Sequence, residues 1–238
     1  MTKNHKIYKD PNRKIGSQSE IPKIVCENDN IIVSGYQNFI INKKTRNIKY
    51  IGKNNKFIYI NELLKNLNTK YNCISFLDIG CNSGLSSFIA LNNKFEYIVS
   101  LDHDPEYIEI LRNIKNICNI TEINESVYSF GNTITEKFDV VFCGALIHWI
   151  FSLTADFRNF PDIISYLISL SKKFLVIEWI HPNDSAIKTL NHIKKRAQET
   201  DEEYNTSNFE SAIAKFSRII SKKNADCSTR TIYVLEKL

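Results

Sequence analysis

The chain has 238 residues, 43% of them hydrophobic, a proportion that suits one globular domain with a decorated N-terminus. Its net charge of +5, much of it in the first 70 residues, permits an anionic partner without demanding one, because lysine and asparagine are enriched throughout. No apolar run reaches the ~18 to 20 residues of a membrane span and MTKNHKIYKDPNRK lacks a signal-peptide core, so the chain reads as soluble and cytoplasmic, with no membrane partner.

Six cysteines (Cys26, Cys73, Cys81, Cys118, Cys143 and Cys227) are scattered without a CxxC pair or a Cys/His spacing of the zinc kind. Most lie in or beside apolar runs, where a free cysteine acts as a small hydrophobe. The pattern argues against a structural zinc and against a disulfide framework.

Residues 1 to about 30 lack apolar periodicity and contain Pro11, Gly16 and Pro22, so they read as a tail or wrapping arm. IIVSGYQNFIINKKTRNIKYIG follows, short apolar strands broken by polar turns, as in a hairpin. NELLKNLN reads as a short helix. From residue 73 the pattern changes: CISFLDIG is a buried-strand run, SGLSSFIALNN suits a helix, and EYIVSLD is a strand. PEYIEILRNIKNIC is a helix with Asp104 as N-cap, Pro105 in the first turn and an apolar stripe of Tyr107, Ile110, Leu111, Ile114 and Cys118. ITEINESV, FDVVFCGAL and KFLVIEWI are further strands, with FPDIISYLISL a helix before the last. DSAIKTLNHIKKRAQETDEE and SNFESAIAKF read as helical, and SRIISKK with TRTIYVLEK as a terminal hairpin. The chain thus divides into a cap of arm, hairpin and helix over 1–70 and a main domain over 71–238. Strand–helix alternation there predicts an α/β fold, a doubly wound, mostly parallel sheet with helices on both faces.

In such a sheet, a glycine-rich turn after the first strand lets a ligand approach the backbone, and an acid ending the second strand receives a ribose hydroxyl. FLDIGCNSG and LDHD meet both conditions. The dinucleotide fingerprint GxGxxG is absent, however, and Asp78 sits two residues before Gly80. An acid there is awkward beside a pyrophosphate but suits an amino group or a positive charge. Residues 78–84 resemble the D/E-x-G-x-G-x-G motif of the class I S-adenosylmethionine-dependent methyltransferases, with Asn82 in place of the middle glycine. LDHDPEYIEIL, FDVVFCGALIHWIF, KFLVIEWI and the terminal hairpin resemble that family's later motifs in order, over roughly residues 70–238.

The resemblance implies a Rossmann-like, seven-stranded sheet and S-adenosyl-L-methionine as cofactor. It also implies that Asp78 orients the turn and the methionine amino group, and that Gly80, Cys81, Asn82 and Gly84 carry the loop under the cofactor. Asp102 would hold the ribose hydroxyls, His103 would pack on the adenine, and Ser126, Val127 and Cys143 would border the cofactor. Residues after the fourth and fifth strands would face the transferring methyl. Among them His148 is the first candidate for a general base, because imidazole titrates near physiological pH, its alternative being a bond to a backbone group or a place in the lining of the cofactor pocket. His181 is the second, and Glu178, ending an apolar strand, either orients a histidine or binds substrate, or is a partnered structural carboxylate. Trp149, Trp179 and Asp184 are candidates for substrate contact, each with a structural alternative: aromatic core for the tryptophans, helix cap for Asp184. The set Glu178, His181, Asp184 fits no standard metal-ligand spacing, so no metal is assigned. His192 reads as surface.

The acceptor is narrowed by what is missing. The N/D-P-P-Y/F motif of amino-methylating DNA enzymes, the Pro-Cys pair of cytosine-C5 enzymes and the Lys-Asp-Lys-Glu tetrad of ribose 2′-O RNA enzymes are not found. GALIHWIF…ADF…IEWI resembles methyltransferases of carbohydrate and nodulation-factor pathways, which implies O-methylation of a sugar or small-molecule hydroxyl. The DIGCNSG turn with a tryptophan after strand four is similar to enzymes that methylate RNA 5′-phosphates, which with the basic arm keeps RNA as an alternative partner. A catalytically silent S-adenosylmethionine-binding protein is the third reading.

Overall fold

The structure is a computed structural model that describes residues 22–52, 55–128, 134–154, 157, 159–200, 202–225 and 227–238. The expected arm therefore lies outside the described residues as far as position 21, and from Lys23 the chain is already strand. Two compact units follow one another, divided between Ser129 and Phe130.

The first unit opens with a four-stranded antiparallel meander: β1 (Lys23–Glu27), β2 (Asn30–Ser34), β3 (Phe39–Asn42) and β4 (Ile48–Tyr50). A single hairpin was expected; β1 was missed because only Ile24 and Val25 mark it, and Val25 is 51% exposed. Ile31, Val33, Phe39 and Ile41 alternate into the buried face with the period of two that pleated strands impose. Helix α1 (Asn55–Tyr71) is twice the predicted length, its buried stripe of Phe57, Ile60, Leu64 and Leu67 extending back through a Phe-Ile-Tyr-Ile run that carries no helical signal of its own. Then come β5 (Ser75–Ile79), α2 (Leu85–Asn92), β6 (Tyr97–Asp102), α3 (Pro105–Cys118) and β7 (Ile123–Val127), with β5, β6 and β7 mutually parallel in that order. Asp104 caps α3 by accepting from the Glu106 amide at 2.9 Å, ahead of Pro105. The buried stripe of α3 is Ile108, Leu111, Ile114 and Cys118, so Tyr107 and Ile110 flank the core face rather than lying in it.

The second unit contains β8 (Phe138–Cys143), α4 (Ile147–Leu153), α5 (Phe160–Ser169), β9 (Ser171–Ile180), α6 (Ser185–Lys188), α7 (Asn191–Thr200), α8 (Thr206–Phe216), β10 (Ser217–Asn224) and β11 (Arg230–Lys237). β8 and β9 run parallel, β11 is antiparallel to β9, and β10 is antiparallel to β11. The strand order β10-β11-β9-β8-β5-β6-β7 makes a mostly parallel seven-stranded sheet ending in the predicted hairpin. The core of this unit is aromatic, with Phe151, Phe160, Trp179, Phe209 and Tyr233 all at most 1% exposed.

Candidate functional site

In the first unit, β5 leads into a turn in which Gly80 (φ 76°), Asn82 (φ 54°) and Gly84 (φ 87°) adopt the left-handed conformation. Asparagine is among the few residues besides glycine that enter this region readily, so Asn82 fits the place of the middle glycine. A side chain at Gly84 would bring its Cβ within 2.6 Å of Leu111 Cδ1, so glycine there also permits close packing against α3. Gly80 and Cys81 donate their amides to the Leu101 carbonyl at 2.7 and 3.0 Å, which ties the turn to the end of β6. Cys81 is 1% exposed and burial pushes its thiol well up, so it lines the loop as an un-ionised apolar group.

Two carboxylates flank the turn. Asp102 is 7% exposed; its Oδ2 accepts from the Asn82 amide at 2.8 Å, its Oδ1 from the Asp104 amide at 3.0 Å, and His103 Nδ1 lies 3.2 Å from Oδ1. Asp78 is 1% exposed and accepts from Ser87 Oγ at 2.7 Å, itself 2.7 Å from Ser100 Oγ. Burial and the charge of Asp102 raise Asp78 to about 7 against the opposing effect of Ser87. The turn is thus flanked by two buried carboxylates, each held by hydrogen bonds from its own neighbourhood. Ser87 was not singled out in the sequence; a serine inside an otherwise apolar helical run was its only signal. His103, Ser126 and Val127 are exposed at the ends of β6 and β7.

The second unit gathers another polar group. Cys143, wholly buried, ends β8, and Ala145 takes φ 48°, a strained value for a residue with a Cβ. Sequence patterning places a loop here, but helix α4 begins at Ile147 and carries His148 and Trp149 in its first turn. His148 is 5% exposed and its Nδ1 has no hydrogen-bond partner among the described residues. Burial, then Arg230 and His192, lower its pKa to about 3, with Asp184 opposing, so the expectation of titration near physiological pH does not hold for this imidazole. Trp149 lies 5.2 Å from the His148 ring and stacks on His192 at 5.3 Å and 24°; His192 is thus half-buried against an aromatic face rather than simply at the surface.

The remaining candidates separate. Glu178 is 2% exposed with Arg230 at 4.0 Å. Asp184 caps α6 through the Ala186 amide at 2.8 Å and accepts from Thr229 Oγ1 at 2.7 Å and Arg230 Nε at 3.2 Å. Burial raises its pKa, but Thr229, the Ala186 amide and Arg230 outweigh that and hold it below the usual range. Its ties are those of a cap and an ion pair. His181 Nδ1 accepts from the Asn183 amide at 3.2 Å within its own turn. Trp179, expected as a substrate contact, is core: it is 1% exposed, stacked on Tyr204 at 4.6 Å and Phe209 at 4.2 Å, with Nε1 donating to Thr206 Oγ1 at 3.2 Å. Arg230, which joins Glu178 and Asp184, was missed because an arginine at the start of a strand carries no motif.

The profile of the ribosomal protein L11 methyltransferase (PrmA) family matches residues 57–169, a little under half of the chain. Nodulation protein NoeA of Rhizobium meliloti (strain 1021) is 24% identical over 179 residues, 68% of this chain but only 36% of that protein, so the chain spans about a third of this curated relative. Among solved structures, the N-methyltransferase NodS of Bradyrhizobium japonicum WM9 superimposes with a TM-score of 0.57 at 11% identity, over 79% of this chain and 99% of that one. The ribosomal protein L11 methylase of Lactobacillus delbrueckii subsp. bulgaricus gives 0.53 at 15% identity, over 78% and 81%. Magnesium protoporphyrin IX methyltransferase (ChlM) of Synechocystis PCC 6803, with bound SAH, gives 0.52 at 15%, over 75% and 81%. At these identities the structural likenesses speak for the fold. The ordered motifs, the left-handed turn between two carboxylates and the profile match make the chain similar to the class I S-adenosylmethionine-dependent methyltransferases, whose fold it shares.

Proposed function

We propose that the protein transfers a methyl group from S-adenosylmethionine to a hydroxyl of a sugar or related small molecule. The observation that carries the reading is Asp78, a buried carboxylate raised to about 7 beside a turn of left-handed residues. A ligand bearing an ammonium relieves that cost, and Asp102 is a matching acceptor for ribose hydroxyls. Asp78, the loop from Gly80 to Gly84, Asp102 and His103 would hold the cofactor, with Ser126 and Val127 beside its adenine. When bound, it supplies an electrophilic methyl.

His148 is the proposed proton acceptor. Burial keeps its imidazole neutral, so unpartnered Nδ1 offers a lone pair to the O–H of the acceptor. Its weakened basicity suffices, because a hydroxyl oxygen that gains a methyl becomes an oxonium far more acidic than imidazolium. The proton then leaves as the C–O bond forms, and the hydroxyl need not ionise beforehand. The stacked Trp149 and His192 offer a flat face to the apolar side of a sugar ring. Free thiols at all six cysteines accord with a reducing compartment, and the cytoplasm is the proposed location.

Titration calorimetry with S-adenosylmethionine and S-adenosylhomocysteine, followed by transfer of labelled methyl to sugars, amino sugars and short RNAs, tests the reading. Both cofactor forms are expected to bind, Asp102→Ala to weaken binding by at least ~1 kcal/mol, and label to reach a sugar oxygen. Label on RNA or on an amine would replace the acceptor class. Binding without transfer to any acceptor would favour the silent binding protein, and absence of binding would end the reading.

A further inference from the structure

The β2–β3 turn lies before the stretch that the methyltransferase motifs cover, yet it touches the cofactor loop. Asn38 closes this turn on Gly35 twice, its Oδ1 accepting from the Gly35 amide at 3.3 Å and its Nδ2 donating to the Gly35 carbonyl at 3.2 Å. Between them, the Gln37 carboxamide reaches both limbs of the loop: Oε1 accepts from the Leu85 amide at 3.1 Å, and Nε2 donates to the Cys81 carbonyl at 3.3 Å. Leu85 is the first residue of α2, and Gly84 at its N-cap has no side chain to accept a helix amide. Gln37 supplies the missing oxygen from 48 positions away in sequence. The same side chain engages the loop at Cys81, so one planar group reinforces the backbone bond from the Gly84 amide to the Cys81 carbonyl at 2.9 Å and spans on to Leu85.

We propose that Gln37 is a positioning residue for cofactor binding, which holds the loop from Cys81 to Leu85 in the shape that receives S-adenosylmethionine. The inference rests on the methyltransferase reading and adds the N-terminal meander to its cofactor site. A carboxamide matches both groups, because it accepts from the Leu85 amide while giving the Cys81 carbonyl, which already accepts from the Gly84 amide at 2.9 Å, a second donor. A glutamate keeps the first contact and loses the second; an alanine loses both. Ordering the loop before binding removes a cost that the ligand would otherwise meet.

Calorimetry with S-adenosylhomocysteine on the full chain, Gln37→Ala and Gln37→Glu, with amide hydrogen exchange at Leu85 in the ligand-free proteins, tests this. Gln37→Ala is expected to weaken binding about tenfold and to speed Leu85 exchange, with a melting temperature near that of the parent. Gln37→Glu keeps slow exchange at Leu85 and binds with intermediate affinity. In turnover, the KM for S-adenosylmethionine rises in Gln37→Ala while kcat and the acceptor KM stay at parental values. Parental affinity in Gln37→Ala overturns the proposal while leaving the methyltransferase reading intact. If that variant does not fold, parental affinity in Gln37→Glu overturns it instead. A parent chain that binds no S-adenosylhomocysteine brings down the methyltransferase reading, and this inference with it.

Discussion

Asp78 and His148 are buried groups pushed toward their neutral forms, one raised to about 7 and the other lowered to about 3, and burial is the main cause in both. Their consequences differ. An ammonium ligand binds the ionised form of Asp78, so below pH 7 binding must first release a proton. S-adenosylhomocysteine affinity is expected to fall up to about tenfold per pH unit on acidification below 7, and Asp78→Asn to lose both that slope and most of the affinity. Calorimetry across pH 5.5–8 reads both. His148 is already neutral throughout this range, so His148→Ala is expected to lower kcat by roughly 10²- to 10⁴-fold at unchanged cofactor affinity, without removing an inflection near pH 6.5. Stopped-time assays against pH, with calorimetry alongside, distinguish this from a binding defect. Both residues stand out as candidates in the sequence because strand ends and motif spacing are written in the chain. Their protonation was not, because it depends on burial by residues distant in sequence, such as Arg230 acting on His148.

At the scale of elements, α7 holds the chain between α4 and α5. Arg196 donates to the carbonyls of Phe151 at 3.0 Å, of Thr154 and of Phe157 at 3.3 Å, where α4 ends and its orphan carbonyls gather negative charge. A few residues on, Glu202 accepts from the Phe160 amide at 2.8 Å, the opposite charge at the start of α5. Arg196 is 14% exposed, so its bonds are largely shielded from water. Arg196→Ala is expected to destabilise the fold by about 2 kcal/mol through unsatisfied carbonyls, with Arg196→Lys recovering part of it, as thermal melts would report. Helix α3 was legible to the residue at its cap because Asp104 and Pro105 act locally. Helix α4 was not: it has seven residues, no side-chain cap and a left-handed alanine before it, so what stabilises it is packing and the distant arginine.

For the whole molecule, the mostly parallel sheet followed from the alternation of apolar runs, whereas the four-stranded meander was only half seen because its strands are short and the first is largely exposed. Stability against pH is a property of the whole chain in another sense: in a chain that unfolds in one transition, proton uptake by every group adds. Unfolded His148 takes up its proton near pH 6.5, while the folded imidazole resists until about 3, so its contribution to stability falls as pH drops through that window. Asp78 runs the other way. Its folded pKa of about 7 lies above the unfolded value of 3.8, so the stability it contributes is fully present below 3.8 and is lost as pH rises through 7. Between roughly pH 4 and 6.5 the two slopes, each about 1.4 kcal/mol per pH unit, oppose one another. Removing one should therefore expose the other. Relative to the parent, His148→Gln is expected to gain stability as pH falls from 6.5 to 4, and Asp78→Asn to gain it as pH rises from 4 to 7. Denaturant titrations of both variants and the parent at pH 4.5, 5.5 and 6.5 decide the matter: slopes of the same sign would mean that one of the two groups is not held neutral by its burial.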